Sequence, residues 1–380
     1  MKQKLIAIFS LVFILASFNS NSKQNPAFGQ TSQAFIQLPN FFYKKFTGSI
    51  GDISIVMDLT KKDSVLTGQY YYTKVGVPLT LNGYVSSDGK FSLSEMNDKY
   101  EETGKFEGSF LSDKLVSGTW TNSKSKKALT FKLSEKTDNV VSVSFDKRHS
   151  ENCKNAEKNK KHPTADASLW DKLCTTLDLD LIIITAPSKE ISQKVNETIK
   201  NLVCGLGFGE KKYSSIDDLM TSVNSVEDDA DNELSIGSSL VTNDNDILCI
   251  SIGESFYCCD APHEFSSSNY YNFDIRTGKQ ILLDDLLIQN YETTLNKIAE
   301  EKFVETNGSD DWDFSDDWDF EKGKFELNRD FAITPGGLLF SYDPYEIGPY
   351  AMGAPEVFIS YKDIDNLIKP NGLLEAWRKN

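Results

Sequence analysis

The chain has 380 residues, with 40 basic against 56 acidic side chains and a formal net charge of −16. Such a surface repels nucleic acid and anionic lipid and favours basic partners and divalent cations, although the same charge also serves solubility alone. At about 100–200 residues per domain, the length suggests two domains, each large enough to bury its own core.

Lys2 and Lys4 precede an apolar run from Leu5 to Phe18, broken only by Ser10 and Ser17, and small residues follow up to Ser22 and Gly29. This reads as a secretory signal over residues 1–29, cleaved after Ser22 or Gly29, with an uncleaved anchor as the competing reading. Cleavage after Gly29 leaves 37 basic and 56 acidic residues, a net of −19. No second apolar run approaches the roughly 20 residues of a membrane span. The first Cys is Cys153, so no lipidation site follows the signal. The mature chain is expected to be extracytoplasmic, periplasmic or secreted, with no integral membrane segment and no nucleic-acid partner.

Residues 34–145 read as β structure. Short alternating runs occur at Asp52–Leu59, Leu66–Thr73, Pro78–Val85, Lys90–Glu95, Gly104–Phe110, Val116–Thr121, Leu129–Leu133 and Val140–Phe145. Turn chemistry separates them, as in Ser86-Ser87-Asp88-Gly89, and the spacing predicts an antiparallel meander closing as a small barrel or sandwich. Tyr70, Tyr71, Tyr72, Tyr84, Phe106 and Trp120 would either fill its core or line a pocket for a small lipophilic ligand. Phrases such as Leu66-Thr67-Gly68-Gln69-Tyr70 resemble those of avidin-type and lipocalin-type barrels, in strand style only.

Residues 146–168, basic and poor in apolar side chains, read as a linker. Residues 169–380 read as α+β, an antiparallel sheet with packed helices. Strands are expected at Leu177–Thr185, Glu233–Val241, Asp246–Ile252, Phe256–Cys259, Tyr270–Ile275, Gln280–Leu283, Phe325–Leu327, Phe331–Thr334, Gly337–Tyr342 and Glu356–Tyr361. Helical spacing falls on Ser188–Leu206, Ser215–Val226, Asn290–Val304, Lys362–Ile368 and Leu373–Lys379.

Cys153, Cys174, Cys204, Cys249, Cys258 and Cys259 permit disulfides in an oxidising compartment, but the sequence does not choose a pairing. No CxxC, HExxH, GxSxG, P-loop or dinucleotide fingerprint occurs, so no catalytic residue, metal site or cofactor is expected. The repeat Asp310-Asp311-Trp312-Asp313-Phe314 and Asp316-Asp317-Trp318-Asp319-Phe320 lacks the spacing of an EF-hand. It reads as an acidic loop in which Trp312 and Trp318 offer contacts to a cationic protein.

The run Tyr270-Tyr271-Asn272-Phe273-Asp274-Ile275-Arg276-Thr277-Gly278-Lys279-Gln280-Ile281 is followed by Leu282 to Leu287, and after a helix by Leu338 to Gly353 and Glu356 to Tyr361. This order, with Ala261-Pro262-His263 ahead of it, resembles the RsiV-like extracytoplasmic domain family. That family includes the outer domain of lysozyme-sensing anti-sigma factors and a non-catalytic module of the peptidoglycan deacetylase PdaC. The resemblance implies recognition of a lysozyme-like basic protein or of peptidoglycan, without catalysis. The chain departs from the anti-sigma members in having no internal transmembrane helix. Between Tyr342 and Met352, prolines stiffen the loop and Tyr345 and Tyr350 offer large contacts at low entropy cost. The expected binding rim is therefore His263, Tyr342, Tyr345, Glu346, Tyr350 and Met352, joined by Trp312 and Trp318. The chain is read as a non-catalytic binding protein, the alternatives being an envelope glycan- or peptide-processing enzyme and a lipophilic-ligand carrier.

Overall fold

Alternating apolar residues in the first half of the chain produce eight strands: β1 (Phe41–Ile50), β2 (Ile53–Lys62), β3 (Val65–Tyr72), β4 (Leu79–Val85), β5 (Lys90–Met96), β6 (Glu102–Ser112), β7 (Leu115–Asn122) and β8 (Ala128–Glu135). The computed structural model describes residues 38–97, 100–155, 172–185, 187–208, 211–226, 231–258, 261–307, 318, 320 and 323–378. The expected signal segment lies outside them. Each strand pairs with the next, and β8 returns to β1 with Ile50 opposite Phe131, closing an antiparallel barrel. Closure removes the exposed sheet edges that an open meander would leave.

Phe46, Leu59, Leu66, Tyr70, Leu81, Leu93, Phe106 and Leu133 point inward and are fully buried. Burying each such side chain contributes about 1.5–3 kcal/mol. Glu95 lies among them and accepts hydrogen bonds from Tyr70 Oη, Trp120 Nε1 and Thr103 Oγ1, each at 2.6 Å. Tyr70, Phe106 and Trp120 are therefore core residues, Tyr71 faces the rest of the molecule, and Tyr84 is exposed. The six aromatics therefore do not all share one face: Tyr70, Tyr72, Phe106 and Trp120 gather at the barrel core, while Tyr71 and Tyr84 lie on the outside.

The run Val140–Phe145, expected as part of the barrel, instead leads into a second sheet. There, β9 (Val143–Asn155) pairs along its whole length with β10 (Lys172–Ile184). Residues 146–155, expected as linker, are thus an edge strand; their charged side chains suit an edge that must not recruit another chain. Cys153 and Cys174 are direct partners in this register and form a disulfide. Among the described residues, Cys204, Cys249 and Cys258 are free thiols.

After β10 come α1 (Lys189–Val203), α2 (Ile216–Thr221) and a 3₁₀ turn at Ser222–Ser225. Ser188 starts α1 by accepting the Ile191 N–H, and Val195, Ile199 and Val203 form its buried stripe. These helices carry the chain over the sheet, so β11 (Asn232–Asp244) lies parallel to β10. The expected antiparallel sheet is consequently mixed at one pair. Next, β12 (Ile247–Cys258), β13 (Phe265–Asp274) and β14 (Lys279–Gln280) complete the order β14-β13-β12-β11-β10-β9.

Then follow α3 (Leu283–Leu286), α4 (Glu292–Asn307), a three-stranded sheet of β15 (Phe331–Ile333), β16 (Gly337–Ser341) and β17 (Glu356–Ser360), and α5 (Glu375–Arg378). Leu295, Ala299 and Phe303 of α4 share a core with Leu338, Phe340, Val357 and Ile359. Two expected elements are absent. Phe325–Leu327 is irregular, with Phe325 tucked against Phe303, and Lys362–Ile368 is a series of turns rather than a helix.

Residues 36–380 form one compact unit, so the two halves are not tethered loosely. Gln69 Nε2 donates to the Val241 carbonyl at 2.7 Å, and Tyr71 Oη donates to Asp244 at 3.1 Å. Buried Lys45 bonds Asp58 at 2.9 Å, while Asp244 also pairs with Lys136. Gly76, at φ +73°, lets the β3–β4 turn approach Gly336 so closely that a Cβ would sit 2.7 Å from the Gly336 Cα.

Candidate functional site

The segment joining β16 to β17 is tied at its base by Tyr342 N–H donating to the Pro355 carbonyl at 3.1 Å. Beyond that tie the chain turns at Asp343-Pro344-Tyr345-Glu346, closed by Glu346 N–H to the Asp343 carbonyl at 3.0 Å. Pro344 presets the first central position, and Tyr345 takes the second at φ +73°. That conformation normally selects Gly; a bulky residue held there stores backbone strain of order 1–3 kcal/mol. What the strain achieves is display, since the Tyr345 side chain remains 58% exposed.

Glu346 holds the turn rather than presenting a free charge. Its Oε2 accepts the Asp343 N–H at 2.9 Å and its Oε1 accepts Asn328 Nδ2 at 3.0 Å. Further on, a 3₁₀ turn at Tyr350–Met352 places Tyr350 flat against His263, with ring centroids 3.7 Å apart and planes inclined by 16°. Tyr345 leans over the same pair, 5.5 Å from the Tyr350 ring.

Hydrogen bonding selects the His263 tautomer. The Glu264 carbonyl lies 3.0 Å from Nδ1 and can only accept, so Nδ1 carries a proton. Nε2 is then left to accept from Tyr345 Oη, at a long 3.4 Å. The Glu264 carbonyl also accepts Tyr350 Oη at 3.2 Å. Three rings from two distant segments thus form one outward-facing aromatic cluster, with Met352 38% exposed in the same loop.

Behind this rim lies a row of carboxylates. Among the described residues, the outer edge of β13 beyond its short pairing with β14 has no strand neighbour, and acidic side chains take the place of one. Asp343 Oδ1 accepts the Ser268 N–H at 2.9 Å, and Asp330 Oδ1 accepts the Tyr270 N–H at 2.6 Å. Asn272 completes the seam by bonding both the Phe331 carbonyl and the Ile333 N–H. Burial pushes Asp330 up to about 7, the Asp343 and Glu346 charges adding to it and the Tyr270 N–H opposing. Asp343 is raised as well, by burial and then by Glu346.

Of the expected rim residues, the structure brings together His263, Tyr345, Glu346, Tyr350 and Met352. Tyr342 does not belong with them. It is 1% exposed, because Leu338, Phe340 and Tyr342 continue one alternation toward the core of the three-stranded sheet. Trp318 is likewise 5% exposed and packs edge-on against Phe303 at 4.7 Å, so it is a core residue and not a surface contact. Trp312 lies outside the described residues. Asp330, Asn328 and Ser268 were not legible as site residues, since each acts through a partner far away in sequence.

Glu151, Cys153 and Cys174 converge closely enough to suggest metal ligands, but the two sulfurs are joined to each other. Among the described residues, no helix is long and apolar enough to cross a membrane.

Residues 284–362 match the model of DUF3298, a family described as a protein of unknown function. The crystal structure of a DUF3298 family member from Bacteroides fragilis superposes with a TM-score of 0.50 at 16% identity, covering 64% of this chain and 100% of that one. A DUF3298 family protein from Pseudomonas aeruginosa matches at 18% identity and a TM-score of 0.46, covering 60% and 95%. No curated protein matches the sequence. The family match covers β15 to β17 and the rim loop, and the first of these structures shows a shared fold.

Proposed function

We propose that this chain, which carries a DUF3298 domain at residues 284–362, is a non-catalytic binding protein acting outside the cytoplasm, where its aromatic rim captures a cell-envelope component. The observation that carries this reading is Tyr345, held at φ +73° beside the stacked His263–Tyr350 pair and still largely in solvent. Strain retained at an exposed aromatic side chain is the mark of a position kept for contact. Tyrosine supplies wide, rigid, amphipathic area, suited to a protein hot spot or to the face of a sugar ring.

Charge favours a basic protein partner of the lysozyme type, as the RsiV-like resemblance implies, with a peptidoglycan strand as the second candidate. The Cys153–Cys174 disulfide supports an oxidising compartment. Calorimetric titration with hen lysozyme at low and high salt tests the proposal. Binding that weakens several-fold with salt supports a basic partner. Salt-insensitive binding of muropeptides points to glycan. Turnover of muropeptides with no lysozyme binding would overturn the reading in favour of an enzyme.

A further inference from the structure

A second concave surface lies away from the rim, between the outer wall of the barrel and β11, and its volume is about 330 Å³. Small-ligand sites favour such junctions between structural units. The barrel wall is built from two cross-strand rows. Asp58, Gln69 and Thr80 are direct register partners on β2, β3 and β4, and so are Thr60, Thr67 and Asn82. Their neighbours Leu59, Leu66 and Leu81 fill the barrel, so alternation sends the polar set outward.

The opposite wall is β11 from Ser238 to Asn243, where a bulge between Leu240 and Thr242 breaks the register with β12. Bulges re-aim side chains and recur beside binding sites.

The charges at this cleft are already satisfied. Lys62 bonds Asp180 at 2.8 Å and lies over the Phe145 ring, and both Asp58 oxygens accept from Lys45. An ionic ligand finds no unpaired counter-charge there. What the walls offer instead is hydroxyl and amide groups. Within the described residues, no side-chain hydrogen bond engages Thr60, Thr67, Thr80, Asn82 or Ser239. Thr242 is more telling: it is 4% exposed, yet its Oγ1 has no hydrogen-bond partner. A buried hydroxyl left unbonded is unfavourable, and because this one is closed to solvent a ligand reaches it only where the β11 wall shifts.

We propose that this cleft binds an uncharged polyhydroxylated ligand of about one sugar ring, either a free monosaccharide or the end residue of a glycan. The inference does not rest on the rim, and the two sites are tested by different variants.

The test uses the full mature chain and saturation-transfer NMR with glucose, galactose, N-acetylglucosamine and chitotetraose. A saturable response from a monosaccharide, with Kd of about 1 mM or tighter, supports a free sugar. A response from the tetrasaccharide alone supports a glycan terminus. Thr67→Trp fills the cleft from the barrel's outer face and should abolish the signal. Thr60→Val with Asn82→Ala removes two polar groups from the barrel's outer face; it should weaken binding at least about fivefold while leaving thermal stability unchanged. Tyr345→Ala should bind these sugars as the parent does. Failure of every sugar to bind, or equal binding by Thr67→Trp, would overturn the proposal.

Discussion

Replacing Asp330 by Asn is expected to make the folded protein more stable above neutral pH and to leave it unchanged in acid. Asn keeps the oxygen that accepts the Tyr270 N–H and loses only the charge. Burial raises the Asp330 carboxyl from 3.8 to about 7, with Asp343 and Glu346 repelling its ionised form. The folded state therefore holds a proton that the unfolded chain releases near pH 4. The stability linked to that proton is fully present below the unfolded value and is lost as pH rises through 7. At about 1.4 kcal/mol per pKa unit the shift corresponds to about 4 kcal/mol, and partial exposure screens this to about 1–2 kcal/mol. Urea unfolding of both proteins from pH 4 to pH 9 provides the assay. The variant should gain on the parent through pH 5–8, reach a gap of about 1–2 kcal/mol, and show none at pH 4. A gap independent of pH, or a variant weaker at pH 9, would refute the assignment of a desolvated carboxyl at the β13 edge.

Four further outcomes are expected. Glu95→Leu removes the shared acceptor of Tyr70, Trp120 and Thr103; Tyr70 keeps its bond to Tyr72, but the buried Trp120 N–H is left unsatisfied, and the change should cost about 1–3 kcal/mol, read by denaturant midpoint. Asp244→Ala strands Lys136 and weakens the Tyr71 link between barrel and sheet; a loss of about 3–5 kcal/mol is expected in thermal unfolding. Cys153→Ala with Cys174→Ala opens a cross-link spanning 21 residues and should cost about 2–4 kcal/mol, a difference that vanishes when the parent is measured with reductant. Tyr345→Gly relieves backbone strain while deleting the displayed ring, so it should raise stability by up to about 1 kcal/mol and weaken partner binding.

Much of the barrel is legible in the sequence because a meander pairs neighbours, and seven of the expected runs fall on β2 to β8. The first strand is not. In β1 the inward residues Phe42, Phe46 and Ile50 recur every four positions, and on the opposite face Lys45 is buried as well, where it meets Asp58 and Asp244. The polar stretch after Phe145 looks like a tether because its charges suit solvent, but those same charges suit an edge strand. Only the partner β10, beyond residues whose composition carries no signal, decides between the two.

At the rim, exposure is the quantity a sequence conceals. Tyr345 and Tyr350 face out because a turn and a 3₁₀ segment break the strand alternation, whereas Tyr342 still obeys it and goes inward. Trp318 shows the same limit: two nearly identical acidic repeats give no hint that this ring would pack on Phe303. Asp330 owes its character to β13, some 60 residues away, and no local pattern could announce it.

The most direct test of the binding role compares the parent with a Tyr345→Ala, Tyr350→Ala double variant in affinity for lysozyme and for soluble peptidoglycan fragments, after thermal unfolding confirms that both are folded. Whichever partner binds the parent is expected to bind the variant at least about tenfold more weakly, because central aromatic anchors are lost. Equal affinity for the two proteins would place the contact elsewhere and contradict a binding role for the aromatic rim.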